Sequence, residues 1–229
     1  MTPNFRSLPV ALPSGCRGVR VDVADVARLV AMMPAGDWPE SMHGAADSRR
    51  ADYLAGRLAA REAVRLATSL EARIGRADDG SPVWPDGVEG SISHYEGVAA
   101  AVARRVGKAA PVGLAREARG GIGIDIAPLL EGDRLRAVTR RCLTDEERSA
   151  QPSDAAVSLT FAAKEALFKA VHARVQRHVS FDEAVLSDHD SASWSLRLSP
   201  ALSGEIGVDA VSGTYAWEHG LVYAVVALD

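Results

Sequence analysis

The sequence has few cysteines, no long apolar run and no excess of positive charge. Cys16 and Cys142 are its two cysteines, and they form no metal-binding motif. We therefore expect neither a disulfide framework nor a zinc site, and a reducing cytoplasm fits best. No apolar segment approaches the length of a membrane span, and residues 1–15 lack the apolar core of a signal peptide. The net charge of -4 gives no indication of nucleic-acid binding.

The composition is that of an ordinary globular protein, with room for one large domain or two small ones. Of the 229 residues, 47% are hydrophobic and 24% are charged. The spacing of apolar residues predicts helices over 22–32, 47–72 and 154–175. Asp47 or Ser48 is the expected N-cap of the second helix, because short polar side chains satisfy the first backbone N–H groups.

Strands are predicted in both halves of the chain. Residues 91–105 indicate two strands around a turn at Glu96 and Gly97, and residues 121–127 alternate as a strand does. The C-terminal segment predicts further strands and a hairpin that turns near His219. Each half thus runs from helix-rich to strand-rich sequence, which predicts an α+β fold with two similar lobes.

The boundary between these lobes is expected in the weakly patterned linker at residues 107–121. We place the N-terminal lobe at residues 1–113 and the C-terminal lobe at residues 114–229. No clear internal sequence repeat supports the similarity of the lobes, so the two-lobe prediction depends on the order of the elements.

The segment "FAAKEALFKA", residues 161–170, carries charge on a helix that otherwise resembles a core helix. Glu165 lies at the edge of the apolar face that contains Phe161 and Phe168, and Lys169 follows one turn later. A buried carboxylate needs a cation, a metal or hydrogen-bond donors. The alternative is a solvated Glu–Lys pair that contributes about 0.2–0.5 kcal/mol.

Asp125 is a second candidate carboxylate, in the otherwise apolar strand "GIGIDIA". Gly121 and Gly123 would allow a ligand to approach the strand backbone closely. Two carboxylates from separate elements suit Mg²⁺, which binds one or two carboxylates together with water and phosphate oxygens. Alternatively, Asp125 only forms a turn at the end of the strand.

Donors for phosphate are concentrated in the N-terminal half. Arginine side chains of the second predicted helix and the following loop are candidates, as are a hydroxyl and an imidazole in the motif "SISH". These candidates are Arg49, Arg50, Arg57, Arg61, Arg76, Ser93 and His94. The alternative for the arginines is a solvated basic face.

Four segments stand in the order found in one enzyme family. They are "RRADYLAGRLAAREAV", "DGSPVWPDGVEGSISHYEG", "GIGIDI" and "FAAKEALFKA", within residues 49–170. Together they resemble the Sfp-type 4′-phosphopantetheinyl transferases, especially the enterobactin-type (component D-like) branch. The last segment fits the family pattern F-x-x-K-E-x-x-x-K completely.

The resemblance implies a monomer with a pseudo-two-fold pair of α+β lobes and coenzyme A in the cleft between them. It implies Mg²⁺-dependent (or Mn²⁺-dependent) transfer of phosphopantetheine from coenzyme A to a serine of an apo acyl, peptidyl or aryl carrier protein, with release of adenosine 3′,5′-bisphosphate. Secondary-metabolite carriers, such as those of siderophore, polyketide or nonribosomal peptide synthesis, are favoured by analogy. No nucleic-acid or membrane partner is implied.

The same resemblance assigns roles to residues. Asp125 and Glu165 would hold the metal, Glu165 would accept the serine proton directly or through water, and Lys169 would neutralise the pyrophosphate. The implied coenzyme A ligands are Arg49, Arg57, Arg76, Ser93, His94, Lys164 and Lys169.

Two positions depart from the family pattern. Ala127 stands where many members carry a second strand acid, and Asp79 stands where several carry a lysine. Ala127 keeps open an alternative, a coenzyme A or nucleotide-binding protein of the same fold with weak or no transferase activity. An unrelated kinase is disfavoured because the sequence has no G-x-x-x-x-G-K-[ST] loop.

Overall fold

A computed structural model describes three stretches of the chain, residues 3–33, 38–107 and 121–228. The chain folds into two compact units. In the described part, the first unit contains residues 3–8, 15–33 and 38–107, and the second contains 9–14 and 121–228. The predicted boundary between residues 113 and 114 lies outside the described residues, as does nearly all of the predicted linker.

The first unit packs helices against an antiparallel sheet. Its strands are β1 (Arg6–Ser7), β2 (Cys16–Asp22), β5 (Val88–Tyr95) and β6 (Val98–Arg105), in the order β1-β2-β6-β5. Its helices are α1 (Val23–Val30) and α2 (Asp47–Thr68), with a 3₁₀ turn at Glu40–Met42. A two-stranded ribbon pairs β3 (Gly75–Arg76) with β4 (Pro82–Val83). The two strands predicted around Glu96 and Gly97 are confirmed.

Small side chains determine how α2 packs against this sheet. Ala55, Ala59 and Ala63 of α2 are fully buried, as is Ala101 of β6. Because alanine projects only a methyl group, the helix and sheet pack closely. The N-cap prediction for α2 is wrong: the cap is Ala46, whose side chain makes no capping hydrogen bond.

The second unit has the same kind of architecture. Its strands are β7 (Gly121–Pro128), β8 (Ala184–His189), β9 (Ser193–Leu198), β10 (Ala210–Glu218) and β11 (Leu221–Leu228), in the antiparallel order β7-β11-β10-β9-β8. Its helices are α3 (Gly132–Cys142), α4 (Asp145–Ser149), α5 (Asp154–Val175) and α6 (Pro200–Ile206), with a 3₁₀ turn at Phe181–Glu183. The α+β prediction is confirmed, and α5 has the predicted bounds.

Two glycines let α5 lie directly on β7. A Cβ atom at Gly121 would lie 1.9 Å from the carbonyl oxygen of Ala170, and one at Gly123 would lie 1.8 Å from that of Ala166. Any side chain at either position would separate the strand from the helix. The prediction that these glycines admit a ligand is therefore corrected, because the helix backbone fills that space.

None of the helices in the described part of the chain has the length and apolar character needed to cross a membrane.

Candidate functional site

A cavity of about 390 Å³ lies in the first unit, beside one face of α2. Arg49, Asp52, Tyr53, Gly56 and Arg57 line it, and their spacing of three and four residues places them on one side of the helix. The loop after α2 and strand β5 supply the remaining walls. These are Arg76, Gly80, Pro82, Ile92 and His94, with Met42 from the 3₁₀ turn.

The arginines of this cavity are not neutralised by ion pairs with other described side chains. Among the described residues, Arg49, Arg57 and Arg76 make no ion pair. The Arg57 guanidinium lies over the Tyr53 ring at 5.1 Å, and its Nη1 atom is buried with no hydrogen-bond partner in the described chain. A buried, unsatisfied guanidinium N–H costs free energy unless an acceptor is bound. The cavity therefore has the electrostatics of an anion site.

A tight turn places Arg76 in this cavity. Gly80 has φ +92, and a Cβ atom there would lie 2.7 Å from Nη2 of Arg76. The Asp79 carboxylate accepts hydrogen bonds from the backbone N–H and the hydroxyl of Ser81, at 2.9 and 2.7 Å. Asp79, at the position where several family members carry lysine, thus builds the turn that presents Arg76.

Three other predicted phosphate donors do not line this cavity. Ser93 is 5% exposed and, next to His94 on β5, projects from the opposite face of the strand. Arg50 donates from Nε to the Met42 carbonyl and lies over the Trp38 ring. Arg61 pairs with Glu71.

The second unit brings Asp125 and Lys169 together, because α5 packs directly on β7. Nζ of Lys169 lies 2.6 Å from Oδ1 of Asp125 and donates to the Ile124 carbonyl at 3.0 Å. Asp125 is 7% exposed, whereas the Lys169 side chain is 31% exposed, so the carboxylate is shielded from water and the ammonium is partly accessible. An ammonium group already stabilises negative charge here, as a bound cation would.

Glu165 lies near Asp125 and Lys169 but takes no part in the hydrogen bonds between them. Burial raises the pKa of Glu165, and the nearby Asp125 carboxylate raises it further, while Lys169 and His178 lower it. Within the described residues the Glu165 carboxylate accepts no hydrogen bond. Two partly buried carboxylates repel each other, and a divalent cation between them would relieve that repulsion.

The two carboxylates are too few for a metal site built from protein ligands alone, but they suit a magnesium ion that also binds water and phosphate oxygens. No group of three His, Cys, Asp or Glu side chains in the described residues converges as a metal site. Mg²⁺ commonly uses one or two carboxylates and completes its octahedron with water and phosphate oxygens. The residues present therefore suit that ion in the presence of a phosphate ligand.

The structure corrects the prediction that Lys164 binds phosphate. Lys164 is fully buried, and its Nζ atom donates three hydrogen bonds. The acceptors are the carbonyl of Cys142 at 2.9 Å, Oε2 of Glu147 at 2.7 Å and the carbonyl of Phe181 at 3.0 Å. All three ammonium protons are used, so Lys164 joins α5 to neighbouring elements and has no donor left for a ligand.

Ala127, the position without the second family acid, is part of the hydrophobic core. It is 1% exposed and clusters with apolar residues of α5, among them Leu159 and Ala163. Asp125 and Ala127 lie on the same face of β7, which the packing against α5 covers.

Sequence patterns alone do not single out Asp52, Tyr53 and Glu147. The first two lie three and four residues after Arg49, so the helical spacing of the cavity residues was a signal. Glu147 was visible only as part of a helix N-terminus: it forms a capping box with Thr144 and also binds Lys164. No local pattern in the sequence indicates that Glu147 pairs with Lys164, which lies seventeen residues later.

Two family models match the chain. The 4′-phosphopantetheinyl transferase N-terminal domain matches residues 38–104, and the 4′-phosphopantetheinyl transferase superfamily model matches residues 121–220. The first model covers the cavity described above, and the second covers Asp125, Glu165 and Lys169.

Several named relatives are similar over most of the chain. Enterobactin synthase component D of Salmonella typhi is 31% identical over 169 residues, which are 72% of this chain and 65% of the relative. The 4′-phosphopantetheinyl transferase PptT of Mycobacterium tuberculosis is 30% identical over 195 residues, 79% of each chain. The 4′-phosphopantetheinyl transferase Svp of Streptomyces mobaraensis is 31% identical over 157 residues, 65% of this chain and 60% of the relative. The chain thus spans about 65% of the length of the enterobactin synthase components that it matches.

Proposed function

Because the chain belongs to the 4′-phosphopantetheinyl transferase superfamily, we propose that it transfers phosphopantetheine from coenzyme A to a serine of an apo carrier protein. In this reaction the serine Oγ forms a bond to the phosphorus on the pantetheine side of the pyrophosphate. The bond from that phosphorus to the bridging oxygen breaks, and adenosine 3′,5′-bisphosphate leaves. The serine proton passes to a base.

The observation that carries the proposal is the grouping of Asp125, Glu165 and Lys169 where α5 meets β7. Phosphoryl transfer needs correct positioning and neutralisation of charge more than covalent chemistry by the protein. Asp125 and Glu165 would hold Mg²⁺ or Mn²⁺, which when bound would neutralise charge on the pyrophosphate oxygens. The Lys169 ammonium would stabilise the charge that develops on the departing bisphosphate.

Glu165 is the proposed base, directly or through a water molecule. Its raised pKa means that burial and the Asp125 charge make the carboxylate a stronger proton acceptor than an exposed glutamate. Its lack of a hydrogen-bond donor within the described chain leaves its oxygens available to a metal or to the proton.

The cavity in the first unit is proposed to hold the 3′-phosphate end of coenzyme A. Arg49, Arg57, Arg76 and His94 line it, and the unsatisfied Nη1 of Arg57 supplies a buried donor. Ser93 is not assigned to this group, because it projects from the other face of β5. The fit is chemical: guanidinium groups bind phosphate oxygens through paired N–H donors.

The partner is proposed to be an apo acyl, peptidyl or aryl carrier protein, with carriers of siderophore and other secondary-metabolite synthesis favoured by the enterobactin-type relatives. We further propose that the protein acts as a monomer in the cytoplasm. A reducing compartment agrees with the two cysteines, which are buried and form no disulfide.

A modification assay tests the proposal. The protein is incubated with coenzyme A, Mg²⁺ and apo carriers of the three classes, and the carriers are analysed by intact mass. We expect one carrier to gain one phosphopantetheine, and no gain when its serine is replaced by alanine. Glu165→Gln should remove the gain, whereas Glu146→Gln, which changes an exposed glutamate of the same unit, should retain it.

A different result would favour the alternative function. If coenzyme A binds but no carrier of any class is modified, the protein is a coenzyme A-binding member of the family without transferase activity.

A further inference from the structure

Asp52 is the one carboxylate among the described residues that line the cavity of the first unit. It lies on α2 three residues after Arg49 and is half-buried. In the described part of the chain it makes neither a hydrogen bond nor an ion pair, although three arginines line the same cavity. Its environment in the free protein therefore does not explain why the cavity contains an acid.

Other acids of α2 behave differently. Asp47 pairs with Arg50 at 3.6 Å, and Glu62 pairs with Arg65 at 2.7 Å, in both cases three residues further along the helix. The residues three and four positions after Asp52 are Ala55 and Gly56. Asp52 thus has no partner of opposite charge on the next turn, and its carboxylate faces the contents of the cavity.

For a bare anion, this carboxylate is unfavourable. Three guanidinium groups and one carboxylate leave an excess of positive charge, which matches a phosphate group, but Asp52 itself repels the anion. A cavity that bound only phosphate would bind it more tightly without Asp52. The acid is favourable only if the ligand also presents a hydrogen-bond donor.

The rest of the lining suits a ligand larger than phosphate. Met42, Pro82 and Ile92 contribute apolar surface, and Gly56 keeps the space open, since a Cβ there would lie 2.9 Å from Cγ2 of Ile92. A volume of about 390 Å³ is within the range of small-molecule sites. Cations, an apolar wall and one acceptor together match a nucleoside phosphate.

We propose that Asp52 is a specificity-determining residue that accepts a hydrogen bond from a donor on the nucleotide whose phosphate the arginines bind. This inference rests on the proposed function, in which that nucleotide is the 3′-phosphoadenosine end of coenzyme A. Its donors are the ribose 2′-hydroxyl and the amino group of the base. Either would satisfy the Asp52 carboxylate, and either would let the cavity select a nucleotide over a simple anion.

Isothermal titration tests this with two ligands, adenosine 3′,5′-bisphosphate and inorganic phosphate. Asp52→Ala should weaken nucleotide binding about tenfold, the loss expected for a hydrogen bond to a charged group. The same variant should tighten inorganic phosphate binding roughly threefold, because a repelling charge is removed. Asp47→Ala, which removes the same charge from the same helix outside this cavity, should change neither affinity appreciably.

Two analogues identify the donor. The 2′-deoxy nucleotide and the inosine nucleotide each lack one of the two donors. We expect one of them to bind wild type about tenfold more weakly than the parent nucleotide, and to bind Asp52→Ala as well as the parent does.

Three results would overturn the inference. If both ligands bind Asp52→Ala more tightly than wild type, Asp52 repels anions and accepts no hydrogen bond from the nucleotide. If neither affinity changes, Asp52 takes no part in binding. If Asp52→Ala weakens binding of both analogues as much as it weakens binding of the parent nucleotide, the role of Asp52 as a hydrogen-bond acceptor is refuted. If wild type binds the nucleotide, these results reject the role of Asp52 and leave the proposed function standing. If wild type does not bind the nucleotide, both the role of Asp52 and the proposed function are rejected.

Discussion

Replacing Lys164 with methionine should destabilise the protein strongly, although the family resemblance predicts a ligand-binding role for Lys164. The substitution keeps an unbranched side chain but removes an ammonium that is fully buried and donates three hydrogen bonds. Burial lowers the pKa of Lys164, and the Glu147 carboxylate opposes that effect. Without the ammonium, Glu147 would remain buried as an unpaired charge. Breaking a buried ion pair in this way costs about 3–5 kcal/mol.

The neighbouring glutamate provides a matched control. Arg197 forms two hydrogen bonds to Glu146, at 2.8 and 2.7 Å, but both side chains are more than half exposed. Arg197→Met also removes a cation from a glutamate of α4, yet an exposed pair contributes only about 0.2–1 kcal/mol. Since about 1 kcal/mol shifts the melting temperature of a chain of this size by about 2–4 °C, we expect losses of about 6–20 °C for Lys164→Met and less than about 4 °C for the control.

Scanning calorimetry of the two variants and wild type measures this difference. The double variant Lys164→Met/Glu147→Leu should recover part of the loss, because it removes the unpaired buried carboxylate as well. Equal melting temperatures for Lys164→Met and Arg197→Met would refute the reasoning. The cost of burying the ammonium would then already cancel the contribution of its three hydrogen bonds.

Four further substitutions test the α5–β7 site. Glu165→Gln should lower the transfer rate more than about a hundredfold without lowering the melting temperature, because its raised pKa already disfavours the charged form; a melting loss would mean that the charge stabilises the fold. Lys169→Ala should lower kcat more than coenzyme A affinity, and an effect on affinity alone would make it a binding residue only. Ala127→Glu should lower the melting temperature, because the position is 1% exposed and the new carboxylate would be buried. Added Mg²⁺ should restore part of the loss if that carboxylate reaches the metal. Calorimetry with and without Mg²⁺ measures both effects, and a loss that Mg²⁺ does not change would mean that the carboxylate does not reach the metal. Gly123→Ala should cost more than about 3 kcal/mol of unfolding free energy in urea titration, since its Cβ would overlap the Ala166 carbonyl, whereas Gly204→Ala, with open space around it, should stabilise α6 slightly; equal effects would contradict the packing argument.

Local patterns in the sequence predicted the elements well. The bounds of α5 are those expected from residues 154–175, because Ser153 caps the helix and Gln176 ends it in a left-handed conformation. The hairpin of β5 and β6 turns at Glu96 and Gly97, both with positive φ. These features depend on neighbours in the chain, which a single sequence contains.

The sequence could not show which charges of α5 meet which partners. Alanine is frequent in this helix, and buried residues occur on most of its circumference, so the hydrophobic pattern does not define a single core face. The family resemblance predicts that Lys164 binds phosphate, whereas the structure pairs it with Glu147, seventeen residues earlier in the chain. The two glycines of β7 presented the same difficulty, because glycine indicates a close approach without indicating what approaches.

The three charged side chains of "FAAKEALFKA" differ in one respect that bears on function. A charge in a buried helix is tolerated when hydrogen bonds or an opposite charge compensate its loss of water. Lys164 meets that condition through Glu147 and two carbonyls, and Lys169 meets it through Asp125 and the Ile124 carbonyl. Glu165 has no donor within the described residues and lies beside a second carboxylate. Packing therefore accounts for the positions of both lysines, whereas no protein donor among the described residues compensates a charge on Glu165, which supports the proposal that Glu165, together with Asp125, holds the metal.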